Sequence, residues 1–132
     1  MQFSAQEMYW AKQLHEFGLP WEPCPGHYVW DVAGFIEQPS PFQEGVYFIL
    51  DLKHFLRRTG TLDTFKASMI WLPTWHDARA ILAAMGVADT VIAEELQAQS
   101  ALEHGEELLT LYLLIASHLQ ETADVVGNDA PM

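Results

Sequence analysis

Residues 45–50 read Gly-Val-Tyr-Phe-Ile-Leu, an unbroken apolar run opened by glycine. Aromatic and β-branched residues in such a run make a strand, and the lack of polar alternation predicts burial on both faces. The following residues, 51–59 (DLKHFLRRT), fit two structures. Asp51 can cap a short helix with Leu52, Phe55 and Leu56 on one side, Lys53, Arg57 and Arg58 on the other, and Gly60 at its end. Alternatively the strand runs on and residues 58–61 turn a hairpin. The cap favours the helix, but the residues leave both open. Residues 64–72 then alternate as a strand would: Phe65, Ala67, Met69 and Trp71 share one face, and Lys66, Ser68, Ile70 and Leu72 the other.

Upstream, residues 27–32 (HYVWDV) read as a partner strand, with Val29 and Asp31 on one face and Tyr28, Trp30 and Val32 on the other. A loop over 34–44 contains Pro39 and Pro41. Before these strands, residues 19–26 (LPWEPCPG) hold Pro20, Pro23 and Pro25, which forbid helix and favour an extended path. A first helix covers 4–17: Ser4 and Glu7 form a capping box, Met8, Ala11, Leu14 and His15 recur at helical spacing, and Gly18 suits the C′ position.

Downstream, Pro73 stops the strand, and Thr74 with Asp77 caps a helix bearing Ala78, Ile81, Leu82 and Met85, ended by Gly86. Asp89 is the candidate cap of a helix over 90–99. A last helix over 103–121, interrupted or started near Gly105, is apolar around nearly its whole circumference. Such a helix is either central to the core or half of an oligomer contact. The order predicts one α+β domain over 1–122: a small antiparallel sheet covered by helices on one side, a long apolar C-terminal helix, and a flexible tail over 123–132. A three-stranded sheet is small, so a homodimer through the last helix is expected.

The 132 residues suit one domain, and a hydrophobic share of 50% is too high for a disordered chain. The strongly apolar stretch 108–116 is about half the length of a membrane span, and no basic-then-apolar secretion signal opens the chain. A single cysteine agrees with a reducing, cytoplasmic compartment. Net charge is −12. Residues 80–132 have no Lys or Arg against nine acids: Asp89, Glu94, Glu95, Glu103, Glu106, Glu107, Glu121, Asp124 and Asp129. That half repels nucleic-acid phosphate and anionic membrane, leaving a solvated acidic face or a dock for a basic protein or peptide. Residues 52–68 carry +3, so they are expected to face the acidic half within the fold or across a dimer.

No catalytic residue, metal ligand set or cofactor site emerges from the motifs. Cys24 lies between two prolines with no helix to present its thiol, and reads as a buried or partly buried structural cysteine. The six histidines form no H-E-x-x-H; His76-Asp77, His104 with Glu106, and His118 with Glu121 read as surface pairs. Glycines form no phosphate-binding loop. Five tryptophans are unusual for this length. A strand-to-helix junction is a common pocket position, so Trp21, His27, Trp30, Trp71, Trp75 and His76 are the candidate ligand-binding residues, lining an aromatic cleft for a small apolar ligand or peptide. The alternative is that these rings only build the core.

The segment Gly18-Leu19-Pro20-Trp21-Glu22-Pro23-Cys24-Pro25-Gly26, with Trp71-Leu72-Pro73 before a helix, resembles a family of small bacterial proteins of unknown function with a GLxWEPxPG segment and a later WLP. The resemblance covers roughly residues 5–85 and implies a bacterial, cytoplasmic protein without an activity to carry over. Size and acidity are also similar to those of type III secretion chaperones. The expected function is a non-catalytic acidic protein- or peptide-binding module, chaperone- or adaptor-like. The alternatives are a small-molecule or enzymatic pocket at the tryptophans, and an acidic immunity or inhibitor protein.

Overall fold

The proline-bounded and glycine-bounded segments fold, in a computed structural model that describes residues 2–129 and the side chains of 2–121, into seven helices and three strands. The order is α1 (Ala5–Glu16), β1 (Tyr28–Asp31), β2 (Val46–Phe48), α2 (Leu52–Thr59), α3 (Leu62–Ser68), β3 (Met69–Leu72), α4 (Trp75–Ala84), α5 (Asp89–Ala98), α6 (Ala101–His104) and α7 (Glu107–Asp129). The sheet is antiparallel with β1 in the centre, order β2-β1-β3. Its register sets Val29 against Tyr47 and Trp71, and Trp30 against Val46 and Ile70. The fold is thus α+β with a small antiparallel sheet, as its pattern of elements predicts.

Alternation gives the sheet two apolar faces, and each has its own core. Val46, Ile70 and Leu72 pack with Leu14, Leu82, Leu111, Tyr112 and Ile115, beneath α1, α4 and α7. Val29 and Met69 pack with Trp21, Ile49, Phe55 and Phe65, beneath α2 and α3. Cover on one side only is therefore corrected. A sheet apolar on both faces cannot leave one in water, and the two short helices close the second.

Three further expectations change. Residues 64–72 are not one strand: α3 takes the first part and β3 the rest. The Thr61 side chain caps α3 by accepting from the Thr64 N–H at 3.1 Å, and the helix turns Phe65 into the second core. Asp89 does not cap α5; Ala88 stands at the cap, and the Asp89 carboxylate accepts from Arg79 Nη2 at 2.7 Å. The run 45–50 is not buried on both faces, because β2 is an edge strand and Leu50 beyond it is 78% exposed.

Asp51 caps α2, accepting from the Lys53 N–H at 3.0 Å, so the helical alternative for 51–59 is the one formed. Most of the apolar circumference of α7 is buried within the chain, while Leu113 is exposed. Leu109, Leu111, Tyr112, Ile115 and Ala116 are buried, and the buried Tyr112 hydroxyl donates to the Pro73 carbonyl. The tail expected over 123–132 lies outside the described side chains. Among the described residues no helix is long and apolar enough to cross a membrane.

Candidate functional site

Two features stand out: a ring stack on the α2–α3 side of the sheet, and a groove at the free edge of β2. The stack is built by the proline segment. Its extended path carries Trp21 back over β3, where the indole stacks on Trp71 with centroids 6.0 Å apart and planes within 9°. His27 lies against Trp71 at 4.8 Å. Trp21 Nε1 donates to His27 Nδ1 at 3.1 Å. An indole nitrogen can only donate, so Nδ1 accepts, and the neutral ring carries its proton on Nε2. That nitrogen is 3.3 Å from Cys24 Sγ and donates to it. Burial lowers the His27 pKa below 6.5, against the opposing pull of the Asp77 carboxylate on α4.

Of the six candidate residues, the structure brings together Trp21, His27 and Trp71. Trp30 points to the opposite face of the sheet and packs against the first core. Trp75 and His76 are exposed on the first turn of α4, with no hydrogen bond or ring contact to the stack among the described residues. Cys24 is exposed, which corrects its reading as a buried or partly buried cysteine: the Trp21 ring, and not the thiol, turns inward from the proline segment. The tautomer sets the proton on the nitrogen that faces sulfur, the reverse of what a general base needs. The hollow beside the stack, lined by His15, Pro20, Trp21, Lys66 and Trp71, measures about 280 Å³. That is just below the usual range of ligand pockets.

The groove is larger, about 700 Å³, within that range. One wall is the loop after β1. Asp31, buried at the end of β1, holds it: Oδ1 accepts from the N–H groups of Gly34 and Phe35 at 3.0 Å, and Oδ2 from Ile36 at 2.8 Å. Tyr47 pins the same loop, its hydroxyl donating to the Gln38 carbonyl at 2.6 Å. Burial and the Asp31 charge raise the Tyr47 pKa, so this donor keeps its proton. The floor and far wall come from Phe48, Leu50 and the first turns of α2, with His54 and Phe55. Phe42, at 44% exposure, and Leu50, at 78%, open onto it. Two large apolar side chains in one concavity are unlike singly scattered exposed residues.

Sequence reasoning missed this groove. Its signal was present in Ile36 and Phe42, apolar residues in a loop that polar chemistry would otherwise fill.

Among the described residues there is no group of three or more His, Cys, Asp or Glu able to hold a metal ion. His104 with Glu106, and His118 with Glu121, are surface pairs at 3.8 Å. The acids of the second half are spread over α5, α6 and α7; Glu107 and Glu121 stand about 20 Å apart along α7. In comparisons with known proteins, no family model, no curated protein and no solved structure matches this chain.

Proposed function

We propose that the protein is a non-catalytic protein- or peptide-binding module, adaptor- or chaperone-like, and that it works in a bacterial cytoplasm. The observation that carries this reading is the apolar groove at the edge of β2, with Leu50 exposed at its mouth. A leucine left in water at 78% exposure forgoes about 1.5–3 kcal/mol of burial that a bound segment would supply. The groove also adjoins an edge strand, a common site for capturing an extended segment. The exposed thiol of Cys24 suits a reducing compartment.

Native mass spectrometry of the protein isolated from its own host, beside its Leu50→Glu variant, tests the reading. A polypeptide held by the wild type and lost from the variant supports it. A bare protein in both preparations counts against it. A retained small mass instead favours the second reading, a ligand site at the ring stack. One observation speaks for that reading: the buried Trp71 Nε1 has no hydrogen-bond partner among the described residues.

A further inference from the structure

Resting on the groove reading above, we propose that its occupant is an extended, acidic and apolar peptide segment. It lays apolar side chains into the groove and sets carboxylates against the basic face of α2.

The first argument is charge. In a chain of net charge −12, α2 holds Lys53, Arg57 and Arg58 in solvent. No ion pair joins any of them to an acid among the described residues; the Lys and Arg pairs formed are Lys66 with Glu22 and Arg79 with Asp89. The acidic half of the chain therefore does not neutralise them. Helical spacing sets their place. Arg57 and Arg58 follow the groove residue His54 by three and four positions, and so stand one turn beyond it on the same face. Asp51 is the one acid lining the groove, and its carboxylate is turned to the Lys53 N–H. An apolar trough with an unpaired cationic flank is complementary to apolar residues interspersed with Asp or Glu.

The second argument is the backbone. Ile49 donates to His27 and Asp31 donates to Gly45, which makes Val29 and Tyr47 the hydrogen-bonded pair between them. Phe48 consequently turns its N–H and C=O away from β1. At Val46 the edge is already closed, since its N–H goes to Gln43 and its C=O accepts from Ser40 Oγ. At Phe48 neither group has a partner among the described residues. The open position lies in the groove itself. One residue of an incoming strand can exchange both bonds there and so fix the register of the segment.

Panning a random dodecapeptide display library against the wild-type protein tests this, with the Leu50→Glu and the Arg57→Glu/Arg58→Glu variants as counter-targets. The expected outcome is enrichment of sequences that combine aromatic or aliphatic residues with Asp or Glu. A synthetic representative should lose affinity about tenfold or more on the double charge reversal, weaken as salt rises, and lose binding to Leu50→Glu. Its binding should also slow exchange of the Phe48 amide. Basic or neutral sequences, or affinity indifferent to the charge reversal, overturn the acidic occupant while the groove reading stands. An exchanging Phe48 amide in the complex overturns the extended geometry. No enrichment, or enrichment equal on Leu50→Glu, overturns both readings. Self-association of the wild type that Leu50→Glu abolishes makes a second copy the occupant and overturns the proposal. All three substituted positions lie at or near the surface, and circular dichroism with thermal melting verifies the fold of each variant.

Discussion

A proton added to His27 must go to Nδ1, the atom that already accepts from Trp21. Protonation therefore breaks that bond and sets a cation against two indoles. Because burial lowers the pKa below 6.5, the folded chain holds fewer protons than the unfolded one beneath that pH. Stability contributed by the neutral ring is present above pH 6.5 and falls as pH drops toward the lowered folded value. Thermal melting on either side of pH 6.5 should show this loss, and His27→Gln should show less of it. A wild-type pH slope no steeper than that of the variant would remove His27 as the cause. Gly45 makes a second expectation at this scale. Its φ is +78°, and an added Cβ would meet Trp30 Cδ1 at 3.3 Å. Gly45→Ala should cost about 1–2 kcal/mol in denaturant titration, since an L-residue is strained in that backbone region.

Elements that carry their own signals were legible in the sequence. Ser4 with Glu7 and Thr74 with Asp77 form the two capping boxes, because each needs only its own first turn. The helix over α2 was half legible: Asp51 and Gly60 marked its ends, but nothing local excluded a continuing strand. The helix over α3 was not legible. Its residues satisfy a period of two, and what decides between periods is the distant core that receives Phe65. The ring stack was partly legible for a similar reason. The tryptophans advertise themselves, but only the return of the proline segment over β3 selects Trp21 and Trp71 and leaves Trp75 out. The groove residues all lie within 36–55, but they span a loop, an edge strand and the first turns of α2, so no single helical or strand period marks them as one surface. Its loop wall depends on one carboxylate. Asp31→Ala should leave three backbone donors without their acceptor, cost about 1–3 kcal/mol, and speed amide exchange at Gly34, Phe35 and Ile36. Unchanged exchange there would show that the loop holds itself.

At the scale of the molecule, the sheet separates two cores that have no side chain in common among the described residues. Leu82→Ala beneath α4 and Phe65→Ala beneath α3 should each cost about 2–5 kcal/mol. The double variant should lose close to the sum, since the sites have no common partner. A clear departure from additivity would mean that the sheet transmits strain between its faces.

The two cores also differ in how far apart along the chain their members lie. Trp21, Phe55, Phe65 and Met69 come from one half of the sequence, whereas Phe3, Leu14, Tyr112 and Ala116 come from its two ends. Closing a long loop before any contact rewards it is slow, so kinetic order should follow sequence distance. The Trp21–Phe65 side should therefore assemble early, and docking of α7 onto α1 should come after the rate-limiting barrier. In stopped-flow refolding, Phe65→Leu should then slow folding, while Leu14→Ala and Ile115→Val should chiefly hasten unfolding. The last helix to join would accordingly be the first to leave.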